Sequence, residues 1–166
     1  MPPSAEKPTA DTPTSIAPDI VEEEAGPLID NIVPSYGYQQ TPMVGLGGSA
    51  GAIGALQAFF ENMPPEPGMV FVVVLHLAPD HASTLPQMIQ KWTRMPVQPA
   101  QDGELTEMNR VYVIPPGKLI TAMNGHLRLT DLDREAGRRV AVDLFFRSLA
   151  DSHGPHAAAV VLSGAD

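Results

Sequence analysis

The stretch MVGLGGSAGAIGALQAFFENMPPEPGMVFVVVLHL, residues 43–77, decides the fold. It opens with a short apolar run, MVGL, and continues with AGAIGALQAFFENM, whose large apolar side chains recur at helical spacing. After the breaker PPEPG it ends in a continuous apolar run, MVFVVVLHL. Two apolar runs around an amphipathic helix are typical of a βαβ unit with parallel strands. The sequence therefore predicts an α/β domain.

The segments that follow extend this pattern. STLPQMIQKW predicts a helix with Ser83 or Thr84 as its N-cap, and RVYVIPPG predicts a strand. In LITAMNGHLRLT, the pair Asn124-Gly125 indicates a two-residue hairpin turn. VDLFFRSLADSHG predicts a late helix closed by Gly154, and HAAAVVLSGAD predicts a last buried strand. We expect a three-layer, doubly wound, mostly parallel sheet interrupted by an antiparallel hairpin.

Composition divides the chain near residue 40. Residues 1–40 hold seven prolines, the run EEE and few large apolar side chains. Such a segment cannot bury enough surface to offset its chain entropy. We therefore predict a disordered acidic leader over residues 1–40 and one globular domain over residues 41–166.

Charge and composition exclude several classes of function. The formal net charge of −9 argues against binding to nucleic acid or to an anionic membrane surface. Without cysteine there is neither a disulfide framework nor a thiolate metal site. No apolar run approaches the roughly 18 residues of a membrane-spanning helix, and the N-terminus lacks the apolar core of a secretory signal. We expect a cytoplasmic protein without membrane insertion.

The glycine-rich loop after the first strand supports three interpretations. Residues 45–50 fit G-x-G-x-x-A, a dinucleotide-binding pattern, but the second strand ends in His76 and not in an acidic residue that would bind ribose. Residues 47–51 fit G-x-S-x-G, which seats a serine nucleophile on a sharp strand-to-helix turn. The third interpretation is a close turn in which Ser49 merely caps a helix.

His76 favours the nucleophile interpretation. It ends the most apolar strand, at the carboxyl edge of the sheet, where α/β proteins bind ligands and where Ser49 should also lie. A serine and a histidine delivered by one βαβ unit predict a nucleophile and its general base. Gly48 completes the loop, and the amides near Ala50 and Gly51 are expected to hold an oxyanion.

Other polar residues receive subsidiary roles. His81, in APDHAS, is expected beside the site as a candidate substrate contact. His126 follows the hairpin turn, whereas His153 and His156 flank the end of the late helix, where a positive imidazole would suit the helix dipole. Asp143 is expected at the start of the late helix, as a cap or dipole partner.

Taken in order, these pieces resemble the catalytic domain of the CheB chemotaxis methylesterases, which demethylate glutamyl methyl esters on bacterial chemoreceptors. The likeness covers residues 43–166 and rests on VGLGGSAGAIGAL, VVVLHLAPDHASTLPQMI, AQDGELTEMNRVYVIPPG, VDLFFRSLADSHG and VVLSGAD. It implies that Ser49 is the nucleophile and His76 the general base, with no metal or organic cofactor. It also implies action on the cytoplasmic helices of methyl-accepting chemoreceptors, including deamidation of certain glutamines.

The sequence departs from this family in two places. Leu162 to Asp166 fill the first five positions of the family pattern L-[ST]-G-x-x-x-D-G, so the matching triad aspartate would fall two residues past Asp166. Because loss of such an aspartate lowers the rate of a serine protease by about 10⁴, we expect little esterase activity from this chain, as from a domain truncated at its C-terminus. Residues 1–40 are too few for a receiver domain, which favours the start of a fusion with methyltransferase and sensor-kinase parts.

Two functions of other classes stay open at this point. One is a non-catalytic signalling or docking domain that keeps the same fold and uses the crevice to bind a partner. The other is a dinucleotide-binding module built on Gly45 and Gly47.

Overall fold

The computed structural model describes residues 37–133 and 139–164. Their regular elements are β1 (Met43–Ser49), α1 (Ile53–Glu61), β2 (Val70–His76), α2 (Pro79–Gln90), β3 (Val97–Pro99), β4 (Arg110–Val113), β5 (Lys118–Met123), β6 (His126–Asp131), α3 (Arg139–His153) and β7 (Ala157–Leu162). Short 3₁₀ turns, Ala50–Ala52 and Gly154–His156, precede α1 and β7. Most of the predicted leader lies outside the described residues, and its boundary at residue 40 stays a prediction.

The strands form a parallel sheet and a separate hairpin. Within the described ranges, five strands pair in the order β3-β4-β2-β1-β7, all of them parallel. β5 and β6 form an antiparallel pair that does not join this sheet. At the hairpin turn, Asn124 and Gly125 have φ values of 52° and 77°, as a type I′ turn requires. The predicted α/β class and the predicted hairpin are confirmed.

Each face of the parallel sheet carries its own apolar core. The core under α1 and α2 includes Leu46, Leu56, Phe60, Phe71, Leu85 and Ile89. The core under α3 and the hairpin includes Met43, Val72, Val74, Ile120, Leu127, Phe145 and Leu149. Successive strand residues alternate between these cores because side chains in a strand alternate between faces. The result is the expected three-layer arrangement.

Two glycines of β1 bring α3 into direct contact with the sheet. An added Cβ at Gly45 would lie 2.9 Å from the Phe145 ring, and one at Gly47 would lie 2.6 Å from a methyl carbon of Val142. Both distances are too short for a side chain, so α3 packs on bare strand backbone. Gly45 and Gly47 therefore belong to the strand and to the core, not to the loop that follows.

The second helix begins earlier than the sequence predicts. Pro79 occupies its first turn, where a missing N–H costs nothing. Ser83 and Thr84 lie inside the helix, where their hydroxyls donate to the carbonyl oxygens of Asp80 and His81 at 2.8 and 3.1 Å. The prediction that Ser83 or Thr84 caps this helix is wrong.

The late helix also begins earlier than expected. Since α3 starts at Arg139, the exposed Asp143 lies beyond its first turn, and the predicted cap or dipole role is wrong. Gly154 ends the helix with φ of 48°, as predicted. There the ring of Tyr38 packs so closely that an added Cβ on Gly154 would lie 2.7 Å from it. The N–H of Gln39 donates to the carbonyl of Ser152 at 3.0 Å, so the segment before β1 is fastened to the end of α3.

Candidate active site

Ser49 and His76 lie side by side at the carboxyl edge of the sheet. Ser49 is the last residue of β1 and His76 the last of β2, and they are Cα partners in the parallel register. Adjacent strands lie about 4.8 Å apart, and paired residues point to the same face. The fold thus brings together the two residues that the sequence analysis selected.

This pair lies on the face of the sheet that α3 covers. Ser49 follows Gly45 and Gly47 at a spacing of two, and His76 follows Val74 in the same way. His76 is half-buried and lines a cavity of about 670 Å³, whereas Ser49 is exposed at the strand end. The other walls of this first cavity come from the strand ends, the start of α2, the hairpin base and α3, and they include Pro79, Ala82, Ile114, Gly117, Lys118 and Ala141.

The strand β1 passes directly into a 3₁₀ turn after Ser49. Ser49 is extended, with φ of −113° and ψ of −175°, and in the described structure its side chain makes no capping hydrogen bond. Ala50 and Gly51 begin the 3₁₀ turn, and the first N–H groups of a helical turn have no partner within it. Both residues are exposed. The cap interpretation of Ser49 is therefore not supported, and two amides are available beside its hydroxyl.

The chain that leaves β7 runs against this turn. An added Cβ at Gly48 would lie 2.7 Å from the carbonyl oxygen of Leu162, and one at Gly164 would overlap the carbonyl oxygen of Gly51. Backbone contacts this close require glycine at Gly48 and Gly164. The segment after the last strand is thus a neighbour of the serine turn, as the family resemblance of VVLSGAD implies.

Charged groups stand at the mouth of the first cavity. Lys118 donates to a carboxylate oxygen of Asp131 at 2.5 Å, where the two ends of the hairpin meet. This hydrogen bond, together with the charge of Lys118, holds the pKa of Asp131 below its usual value. Asp133 lines the same cavity. The mouth therefore carries one ammonium and two carboxylates, in contrast to the apolar strand residues deeper in the cavity.

A second cavity opens on the other side of the serine turn. Its volume is about 400 Å³, and it is lined by Ala50, Ile53, Leu77, Ala78, His81 and Met88. His81 is exposed near the start of α2, so the structure places it beside the serine turn. No local sequence pattern reveals this cavity, because its walls come from the serine turn and the start of α1, the residues after β2, and α2.

The remaining histidines line neither cavity. His126 contacts the carbonyl oxygen of Gly103 at 3.1 Å. His153 is only 2% exposed, and its Nδ1 lies 2.7 Å from the hydroxyl of Ser152. Burial, and then the neighbouring His156, lower the pKa of His153. Burial therefore disfavours the positive imidazole that the helix dipole would suit at His153.

The dinucleotide interpretation does not fit this geometry. Gly45 and Gly47 lie within β1, where Phe145 and Val142 fill the space that a pyrophosphate would need. Among the described residues, no three His, Cys, Asp or Glu side chains group as metal ligands. In that same part of the chain, every helix is too short or too polar to cross a bilayer.

The fold and the site define an α/β protein with a serine and a histidine paired at the carboxyl edge of a parallel sheet, an arrangement suited to acyl transfer. Residues 44–166 match the CheB methylesterase family, and the chain belongs to this family of hydrolases. The family resemblance predicted from the sequence is confirmed.

Known relatives agree with this assignment. A protein-glutamate methylesterase/protein-glutamine glutaminase 2 of Shewanella sp. (strain MR-7) is 30% identical over 153 residues, which cover 87% of this chain and 41% of the relative. A protein-glutamate methylesterase/protein-glutamine glutaminase of Treponema denticola is 24% identical over 79% of this chain and 36% of its own length. The chain therefore spans roughly two fifths of the curated relatives that it matches.

A solved structure supports the fold. The crystal structure of the Thermotoga maritima CheB methylesterase catalytic domain matches with a TM-score of 0.65 and 26% identity. The match covers 74% of this chain and 67% of that chain.

Proposed function

We propose that this chain provides the nucleophile and general base of a protein-glutamate methylesterase that hydrolyses glutamyl methyl esters on chemoreceptors. The observation that carries the proposal is the parallel register in which Ser49 and His76 are Cα partners at the carboxyl edge of the sheet, where His76 lines the first cavity. The family match and the names of the relatives support the substrate class.

The proposed reaction is an acyl transfer through a covalent intermediate. The Ser49 hydroxyl attacks the γ-carbonyl carbon of the ester while the imidazole of His76 takes its proton. The amides of Ala50 and Gly51 donate to the oxyanion that forms. The methoxy group accepts the proton from His76 and leaves as methanol. Water, deprotonated by His76, then hydrolyses the glutamyl-serine ester, giving glutamate and free Ser49.

The same intermediate accounts for a second reaction of the class. If the substrate side chain is a glutamine, ammonia leaves in place of methanol, and hydrolysis again gives glutamate. The residues proposed here need no metal or organic cofactor for either reaction. The proposed partners are the cytoplasmic helices of methyl-accepting chemoreceptors, with methyltransferase and sensor-kinase domains in the same full-length protein, and the proposed location is the cytoplasm.

Methanol release from a receptor-derived peptide carrying one γ-methyl glutamyl ester tests this function. The assay compares this chain with a version that carries an aspartate two residues after Asp166, where the resemblance assigns it. We expect the version with the aspartate to release methanol and its Ser49→Ala variant to release none. Folded protein that binds the peptide but releases no methanol in either version would contradict the proposal and favour the docking domain.

A further inference from the structure

The second cavity is lined by the residues that directly follow the proposed catalytic pair in the sequence. Ala50 directly follows Ser49 and Leu77 directly follows His76, and both line this cavity. Leu77 also lines the first cavity, so the two cavities share a wall. The two recesses therefore adjoin at Leu77, and the second begins at the residue that follows Ser49.

The two recesses differ in chemistry. The first has the charged side chains of Lys118, Asp131 and Asp133 at its mouth. The second is walled by aliphatic side chains and methionine sulfur, and only His81 contributes polar side-chain atoms. Apolar walls around a recess favour an apolar occupant because its transfer from water is favourable. Met88 can adapt its shape to such an occupant, because its side chain is unbranched.

A protein substrate necessarily brings further residues to this recess. The glutamyl side chain must enter at Ser49, so its neighbours lie over the surface on both sides. On a helix, residues three or four positions apart lie on one face with Cβ atoms about 5–6 Å apart. Because Ala50, the residue after Ser49, lines the recess, a side chain one turn from the glutamate is the neighbour placed to enter it.

We propose that the second cavity binds an aliphatic side chain of the substrate, one helical turn from the modified glutamate. This inference rests on the proposed function, whose site it extends. The cavity then acts as a specificity subsite, selecting the glutamates that have an aliphatic neighbour on the same helix face.

Peptide binding tests the inference without requiring turnover. The full chain with Ser49→Ala is titrated with fluorescent, alanine-rich helical peptides that carry one γ-methyl glutamyl ester. Two peptides carry leucine four residues before or four residues after the ester, and a third has alanine at both positions. Because the leucine side chain leaves water when it enters the apolar recess and alanine is too short to fill it, we expect one leucine peptide to bind at least about tenfold more tightly than the alanine peptide. Equal affinity for all three peptides, or no binding of any, overturns the inference.

Two protein variants test whether the preference for leucine peptides arises in the second cavity. Met88→Glu places a carboxylate in the second cavity, whereas Met123→Glu places one at an exposed hairpin position outside both cavities. We expect Met88→Glu to abolish the leucine preference and to bind instead a peptide with lysine at that position, and Met123→Glu to keep the preference. A preference that survives in folded Met88→Glu contradicts the assignment. The comparison of peptides on the unaltered cavity stands even if Met88→Glu does not fold.

A small ester separates this inference from the proposed function. N-acetyl-glutamate γ-methyl ester α-amide has no neighbouring residues and tests hydrolysis alone in the version with the added aspartate. Hydrolysis of this ester without a leucine preference overturns only the subsite. A leucine preference without hydrolysis supports the subsite and contradicts the methylesterase chemistry.

Discussion

The two faces of the central sheet are covered in different ways. On one face, α1 and α2 follow directly after the strands that they cover, and they pack on full-sized side chains such as Leu46 and Val73. On the other face, α3 and the hairpin come from much later in the chain. There α3 packs on β1 where that strand has no side chains, at Gly45 and Gly47.

This difference explains why one glycine-rich stretch supported several interpretations. Gly45 and Gly47 form the surface on which α3 packs, whereas Gly48 and the residues after it form the turn of the candidate site. A single run of glycines therefore serves both the packing of α3 on the sheet and the turn of the candidate site.

Truncation of Phe145 has the largest expected effect. Its ring is fully buried against Gly45, and Phe145→Ala should lower the free energy of unfolding by about 3–5 kcal/mol. Urea unfolding of the single and double variants measures the free energy of unfolding of each protein. Gly45→Ala should cost less in the Phe145→Ala background than in the native chain, whereas its cost should be unchanged in Phe60→Ala, on the other face. Equal costs in all three backgrounds would mean that Gly45 does not serve helix packing.

A methyl group at Gly47 should have the next largest effect. Its Cβ would lie 2.6 Å from Val142, so Gly47→Ala should destabilise the fold by about 1–3 kcal/mol through overpacking. Gly54→Ala is the matched control, since its Cβ would meet nothing within 4 Å and it lies in α1. That change should stabilise the fold by about 0.5–1 kcal/mol. Thermal unfolding of both variants shows whether each substitution raises or lowers the stability. A Gly47→Ala variant more stable than the native chain would refute the close approach of α3.

Acid should weaken the face that α3 covers. Burial lowers the pKa of His153, so below the ordinary value of about 6.5 the unfolded chain binds a proton that the folded chain does not. Stability should therefore fall as the pH falls from about 6.5 towards the folded pKa. Melting temperatures between pH 7.5 and 5 should show a smaller acid loss in His153→Gln than in the native chain. The exposed control His81→Gln should keep the full loss, and an identical loss in all three proteins would show that His153 is not responsible.

The ion pair at the mouth of the first cavity gives the smallest expected effect. Lys118 and Asp131 are exposed, so Lys118→Ala should leave the melting temperature nearly unchanged. The pKa of Asp131 should rise from its lowered value to the ordinary range, which a carboxyl carbon titration by NMR detects. A pKa of Asp131 that stays low in this variant would mean that another group sets it.

The parts of the fold that the sequence predicts depend on local patterns. The two apolar runs around a helix predict the parallel pair β1 and β2, and Asn124-Gly125 predicts the hairpin. Since the carboxyl ends of parallel strands meet at one edge, the same pattern predicts that Ser49 and His76 are neighbours.

The parts that the sequence does not predict depend on distant residues. Gly45 and Gly47 have their partners about 100 residues later, so no local pattern shows their packing role. The burial that lowers the pKa of His153 arises only in the folded chain, and so does the second cavity. β3 has three residues, too few for a recognisable period.

Active-site labelling tests the proposed roles of Ser49 as nucleophile and His76 as its base. A fluorophosphonate probe is applied to the version with the added aspartate, and peptide mapping identifies the labelled residue. We expect labelling at Ser49, with the rate lowered by about 10²-fold or more in His76→Gln and unchanged in Ser83→Ala. Labelling at another serine, or labelling of Ser49 at the same rate in folded His76→Gln, would contradict it.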